Sequence, residues 1–168
     1  HQAFVASGEP GGTRHAEIGR FLKRNGDDFV VVASQVNYLT GKPSAQRKGF
    51  KLVKKEDSDG LHMYRAYAPS TLHRGFGWRL FSFFVFAFTS VLAGLRAGPV
   101  DVVIGTSPPI FQAVSALAIA RLRGVPFVLE VRDLWPEFAI DMGVLTNPVL
   151  IALSRWLEEF LYGNADSL

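Results

Sequence analysis

The sequence predicts an α/β domain with a doubly wound parallel sheet, Rossmann-like in outline, and two observations support this fold class. First, residues 101–105 and 126–131 are short runs dominated by apolar, β-branched residues, the pattern of strands that helices cover on both faces. Second, the alanine- and leucine-rich stretch 110–123 between them has the length of a helix and ends at Gly124. Together these segments predict a parallel βαβ unit with a right-handed crossover.

The amino-terminal elements follow from apolar spacing and from glycine positions. Residues 13–25 carry apolar side chains at helical spacing and precede Gly26, which predicts an amphipathic helix with a glycine at C′. Residues 29–34 (FVVVAS) and 61–67 (LHMYRAY) predict strands. Between them, residues 35–60 are rich in Gly, Lys, Ser and Asp and predict a long loop with some irregular β structure.

Two further helices are predicted, at residues 80–95 and 148–162. The first has sixteen residues without a charge between Arg79 and Arg96. At that length it would measure about 24 Å, which is short of the roughly 30 Å hydrocarbon core of a bilayer.

The helix at residues 80–95 admits two interpretations. In one it is a buried helix packed on the sheet. In the other it lies at a membrane surface, because phenylalanines occur on all its sides, at Phe81, Phe83, Phe84, Phe86 and Phe88. In the second interpretation, Arg74, Arg79 and Arg96 would lie near lipid phosphates. A basic stretch that would assist on an anionic membrane, or that is only a solvated loop, consists of Lys42, Arg47, Lys48, Lys51, Lys54 and Lys55.

The amino-acid composition excludes several classes of protein. The 168 residues suit one domain, and 48% hydrophobic residues with 14 Phe argue against disorder. A net charge of +3, from 18 basic and 15 acidic residues, does not indicate nucleic acid. The absence of cysteine excludes disulfides and thiolate metal sites. We expect a piece of a longer protein, since the chain opens like a loop that lacks its first strand and closes like a turn into another.

Three segments are candidates for a binding site, because ligands of open parallel sheets bind beyond the carboxyl ends of the strands. The segment SGEPGGT places Gly8, Gly11 and Gly12 before a helix N-terminus, which favours an anion such as a phosphate or diphosphate. Arg14 would add positive charge there. The alternative is a flexible turn into the helix with Arg14 solvated.

The second segment is TSPP, after the strand at residues 101–105. Thr106 and Ser107 could hydrogen-bond a polyhydroxylated ligand. Alternatively, one of them caps the following helix, with proline in its first turn. The two roles are compatible.

The third segment is RDLWPE, residues 132–137. Arg132 could pair with a phosphate, Asp133 or Glu137 could accept a proton from a hydroxyl, and Trp135 could stack on a sugar. The alternative is structural: an Arg132–Asp133 ion pair ties the strand end to the next helix, and Trp135 packs in the core. For Trp135, core packing is the favoured interpretation.

Taken in order, these segments resemble the amino-terminal half of a family 4 glycosyltransferase of the GT-B fold. The resemblance is to the bacterial subgroup that makes cell-surface polysaccharide, including fucosamine transferase-like enzymes. It rests on AFVASGEPGGTRHAEIGRFL, VNYLTGK, DVVIGTSPP, the run from Arg121 to Glu137 and the closing NAD, and it covers nearly the whole chain.

The resemblance implies two Rossmann-like domains across a cleft. The amino-terminal domain, residues 1–168, would mainly bind the acceptor, and an absent carboxyl-terminal domain would bind a nucleotide-sugar donor, typically UDP-linked. Transfer would retain configuration and need no metal or other cofactor. Gly11 and Gly12 would approach the donor diphosphate, and Arg132 and Asp133 would face sugar and acceptor. Arg132 stands where many relatives have histidine, so the resemblance assigns it no role as base.

The expected function is therefore transfer of a hexosyl or N-acetylhexosaminyl group to a lipid-linked or saccharide acceptor in bacterial cell-surface polysaccharide synthesis. We expect a cytoplasmic location with peripheral contact to the inner face of an anionic membrane, and no activity from this piece alone. The alternatives are a GT-B-fold UDP-sugar epimerase and a non-catalytic module that binds a membrane or a partner. The dinucleotide fingerprint of dehydrogenases is absent.

Overall fold

The computed structural model describes residues 2, 4, 13–37, 40–41, 51–58, 60–70 and 75–168. The chain divides into two compact units, His1–Gly98 and Pro99–Leu168. Within each unit, helices pack on parallel strands, so the chain has the predicted Rossmann-like α/β class.

The first unit contains α1 (Arg14–Arg24), β1 (Val30–Ser34), β2 (Val53–Ser58), β3 (Leu61–Ala66) and α2 (Phe76–Leu95). Its sheet has the order β1-β3-β2, in which β1 runs parallel and β2 antiparallel to β3. The predicted strands at residues 29–34 and 61–67 are confirmed. Gly26 follows α1 with φ 93°, which confirms the predicted glycine after that helix.

Strand β2 lies inside the segment predicted to be a long loop, so that prediction is wrong for residues 53–58. The strand has the sequence VKKEDS, in which only Val53 is apolar, and therefore lacks an apolar pattern. It is held by pairing along its whole length with β3 and by cross-strand side-chain bonds. The buried Arg65 of β3 donates from Nε to Glu56 Oε2 (3.0 Å) and from Nη1 to the Ser34 carbonyl (3.2 Å).

Helix α2 is longer than predicted. Its twenty residues correspond to about 30 Å, so the 24 Å estimate was wrong. Over Gly77–Leu95 the helix could cross a membrane by length and composition alone, with a mean hydropathy of 1.6. One of its faces packs on the sheet, where Ser82 Oγ donates to the Pro69 carbonyl (3.0 Å) and Thr89 Oγ1 donates to the Tyr67 carbonyl (2.6 Å).

The second unit contains β4 (Val103–Ser107), α3 (Ile110–Arg123), β5 (Phe127–Val131), α4 (Glu137–Asp141) and α5 (Pro148–Asn164). Strands β4 and β5 are parallel and joined through α3, as the βαβ prediction required. The core between them is formed by Ile110, Ala113, Ala116, Leu117, Ala120, Phe127, Leu129 and Leu161. Helix α4 was not predicted.

The end of the second unit continues the parallel pairing. Ser167 forms a parallel bridge with Val128, and its carbonyl accepts a hydrogen bond from Leu129 N (2.9 Å). The Asp166 carboxylate accepts from Phe127 N (2.8 Å). The closing residues therefore begin to pair alongside β5, in agreement with the predicted turn into a strand.

Gly105 controls how closely α3 approaches β4. A Cβ at this position would lie 2.7 Å from Ala116 Cβ and 2.9 Å from the Phe127 ring. We expect Gly105→Ala to lower the free energy of unfolding by about 1–3 kcal/mol through overpacking. Denaturant unfolding measures the change. Gly163→Ala is the matched control, because a Cβ there meets nothing within 4 Å, and an unchanged or raised stability is expected. Equal losses in both variants would contradict this account.

Glu56→Gln tests the buried arginine of the first unit. It removes the carboxylate that pairs with the Arg65 guanidinium, whose side chain is fully buried. We expect a loss of about 2 kcal/mol or more in the free energy of unfolding. The control is Asp57→Asn, which changes the neighbouring residue of β2 and removes an exposed pair with His62. We expect a much smaller loss in the free energy of unfolding for this variant. A larger loss in the control would refute the assignment.

Candidate functional site

The TSPP and RDLWPE segments meet at the carboxyl ends of two paired strands. In the parallel register, Ser107 of β4 lies opposite Val131 of β5. The pairing extends one residue further, because Arg132 N donates to the Ser107 carbonyl (3.0 Å). The structure therefore brings these two candidate segments together, at the edge of a parallel sheet where ligands bind.

The third candidate segment is only partly described. Gly8, Gly11 and Gly12 lie outside the described residues. Arg14 is the first residue of α1 in the first unit, and its side chain is exposed. The predicted anion site before α1 stays a prediction.

Thr106 and Ser107 do not cap α3. The helix begins after Pro109, whose backbone is extended and which makes no side-chain capping bond, so the capping interpretation is wrong. Both residues are buried. Within the described part of the chain, Thr106 Oγ1 is buried and has no hydrogen-bond partner. A ligand or solvent oxygen is the kind of group that such a hydroxyl would bind.

Trp135 packs against the core of the second unit, as its favoured interpretation required. The peptide bonds before Pro108, Pro109 and Pro136 are cis, so both strand-end segments contain such bonds. Among the described residues, the indole Nε1 of Trp135 is buried without a hydrogen-bond acceptor. The indole is therefore a core side chain with one unsatisfied donor.

Arg132 and Asp133 are both exposed. They form no ion pair with each other or with any other residue that the structure describes, so the predicted Arg132–Asp133 pair is wrong. The Asp133 carbonyl accepts from Trp135 N (2.8 Å), which holds the segment in a tight turn. The arrangement thus leaves one cationic and one anionic side chain projecting from the strand ends.

The carboxylate of Glu137 forms an ion pair with an arginine, and this pairing could not be predicted from the sequence. Arg155 of α5 donates from Nε to Glu137 Oε1 (2.8 Å) and from Nη2 to Oε2 (3.1 Å). These hydrogen bonds, and then the charge of Arg155, hold the pKa of Glu137 below its usual range. Eighteen residues separate the partners, which matches no local spacing rule. The pair joins α4 to α5 and makes Glu137 a weaker proton acceptor.

No cluster of three or more His, Asp or Glu side chains suited to a metal ion occurs in the described ranges.

The Glu137–Arg155 pair predicts a pH effect. Because the folded-state pKa of Glu137 is lowered, the pair stabilises the fold at pH values above the unfolded-chain pKa. That stabilisation is lost as the pH falls through the lowered value. We expect Arg155→Gln to raise the pKa of Glu137, as followed by carbon-detected NMR of the carboxyl group. Arg121→Gln is the control, since Arg121 donates to the Asn164 carbonyl instead. An unchanged Glu137 titration in Arg155→Gln would contradict the pairing.

Comparison of the sequence with known protein families identifies the family of this chain. The model of the glycosyl transferase 4-like domain matches residues 11–168, which include every described element of both units. No curated protein matches the chain. Since the match covers far more than half of the sequence, the chain belongs to the glycosyl transferase 4-like family and is a glycosyltransferase domain.

Proposed function

We propose that this chain is the acceptor-side domain of a retaining glycosyltransferase. The enzyme transfers a hexosyl or N-acetylhexosaminyl group from a nucleotide-sugar, UDP-linked, to a lipid-linked or saccharide acceptor in bacterial cell-surface polysaccharide synthesis. Family membership supports the glycosyltransferase class. The resemblance of the segment from Arg121 to Glu137 to fucosamine transferase-like enzymes supports the narrower assignment.

One observation links the proposed reaction to Arg132 and Asp133. Arg132 and Asp133 project, exposed and unpaired among the described residues, from the joined carboxyl ends of β4 and β5. In our proposal, the guanidinium of Arg132 binds a phosphate oxygen, because arginine presents a planar fork of donors that suits phosphate. The carboxylate of Asp133 accepts a hydrogen bond from the acceptor hydroxyl and orients that oxygen.

The reaction breaks the bond between the anomeric carbon and the donor diphosphate oxygen. It forms a bond from the same carbon to the acceptor oxygen. The acceptor proton leaves to Asp133 or to the departing diphosphate, whose oxygens lie on the side of the sugar where attack must occur for configuration to be retained. The Thr106 hydroxyl, which has no hydrogen-bond partner among the described residues, is a further group for the ligand. The donor nucleotide is held by a second domain.

Glu137 has a different role in this proposal. Both of its carboxylate oxygens are bonded to Arg155, and its pKa is lowered. A carboxylate in that state is a poor general base at neutral pH. We assign it to positioning: it anchors α4 to α5, and α4 follows directly after the turn that carries Asp133.

Asp133→Asn tests the assignment in the enzyme that carries this domain. We expect kcat/KM for sugar transfer to fall about a hundredfold or more, the range of positioned acid–base groups. Arg132→Gln is expected to raise KM more than it lowers kcat, because it removes binding charge. The matched control is Asp141→Asn, an exposed carboxylate at the end of α4, which should leave kinetics unchanged.

The measurement is transfer of labelled sugar to a lipid diphosphate or oligosaccharide acceptor. Wild-type kinetics in Asp133→Asn would overturn the role of this carboxylate. Conversion of the UDP-sugar without any acceptor would instead indicate an epimerase. We further propose a cytoplasmic protein that works at the inner face of the membrane, where a lipid-linked acceptor presents its head group.

A further inference from the structure

Helix α2 has one face in the core and the opposite face in solvent. Its buried residues, at three- and four-residue spacings, are Ser82, Phe86, Thr89, Ser90, Ala93 and Gly94. Its exposed large side chains are Trp78 (50%), Phe81 (50%), Phe84 (52%) and Phe88 (67%), with Leu95 (42%) at the end. We call Trp78, Phe81, Phe84 and Phe88 the aromatic ridge. The interpretation as a buried helix is confirmed for one face, and the interpretation as a membrane-surface helix stays a prediction that concerns the other face.

The charges on α2 and directly after it have one sign. Within Phe76–Leu95 there is no carboxylate, and the only charged residue is Arg79. Arg96 follows directly after the last helical residue, and both arginines are exposed. An exposed apolar surface with flanking cations complements a layer of anionic lipid head groups above hydrocarbon. Trp and Phe rings favour that boundary.

We propose that the aromatic ridge of α2 inserts into the interfacial layer of an anionic lipid bilayer, with the helix lying along the membrane surface. The inference rests on the proposed function, since a lipid-linked acceptor must be reached at a membrane. It adds to that function the surface that contacts the membrane, the aromatic ridge, and the class of lipid that is bound, anionic lipids.

The helix lies on the bilayer and does not span it, because its other face is part of a folded unit. Thr89 Oγ1 and Ser82 Oγ are bonded to carbonyls that follow β3, and Phe86 belongs to a core cluster with Ala66, Ala68 and Ala93. A spanning orientation would replace these contacts with lipid. Surface insertion keeps them and buries only side chains that are already exposed.

A second exposed apolar stripe provides a matched control. On α5, Val149 (64%), Leu153 (55%), Trp156 (60%) and Phe160 (42%) are similarly exposed. This helix also carries Glu158 and Glu159, and its Arg155 is paired with Glu137. These carboxylates disfavour binding of α5 to an anionic membrane. The α5 stripe therefore tests whether an exposed apolar helix face is by itself enough for membrane binding.

The experiment is flotation of the full chain with phosphatidylglycerol vesicles and with phosphatidylcholine vesicles, without nucleotide-sugar or acceptor. We expect binding to phosphatidylglycerol that weakens with salt and is poor on phosphatidylcholine. Phe81→Ser/Phe84→Ser/Phe88→Ser should lower the partition coefficient about a hundredfold. Leu153→Ser/Trp156→Ser/Phe160→Ser should leave it unchanged. Arg79→Gln/Arg96→Gln, which alters no apolar contact, should lower it about fivefold per charge removed.

Three results would overturn the proposal: no flotation of the wild-type chain, equal losses in the α2 and α5 variants, or retention after alkaline carbonate extraction, which indicates a span. Circular dichroism and thermal unfolding show whether each variant is folded. If the α2 variant does not fold, the arginine variant decides, and unchanged binding there overturns the proposal. Because vesicle binding needs no turnover, and turnover on a soluble saccharide needs no vesicle, this proposal and the proposed function can fail separately.

Discussion

The parallel pairing of β4 with β5 is the constraint on which the candidate site depends. It aligns Ser107 with Val131 and is extended by the hydrogen bond from Arg132 N to the Ser107 carbonyl. The pairing is tight because Gly105 admits α3 against the strands and because Phe127 and Leu129 fill the core beneath. Without that alignment, the residues after the two strands would not lie at a common edge of the sheet.

Two carboxylates in one short segment have separate environments. Asp133 projects from the strand end without an ion-pair partner among the described residues. Glu137, four positions later, is held by both nitrogens of an arginine fork. The difference arises because the turn after β5 directs Asp133 to solvent, whereas the first residue of α4 faces α5. Of the two carboxylates, only Asp133 is without an ion pair in the described part of the chain, although both were equal candidates as proton acceptors in the sequence analysis.

The elements that could be predicted from the sequence are those in which the pattern of apolar residues itself indicates which side chains are buried. Strands β4 and β5 could be predicted from their apolar runs, one face of which packs against α3, although Ile104 of β4 is 54% exposed. Helix α3 was predicted with its observed bounds, ending at Gly124 with φ 67°. Strand β2 was missed because β3 supplies its stability through pairing. Arg155 was missed for a similar reason: its partnership with Glu137 depends on how α5 packs. The two faces of α2 could not be separated either, because phenylalanine occurs on both.

The hydroxyl bonds of Ser82 and Thr89 to carbonyls beyond β3 have a mechanical consequence. Two anchors seven residues apart lie on the same side of the helix, nearly two turns from each other. They resist rotation of α2 about its long axis more than either bond would alone. The outward-facing side chains of α2 therefore keep a fixed orientation relative to the strands. A force applied to these side chains is transmitted through the two hydrogen bonds to the residues that follow β3.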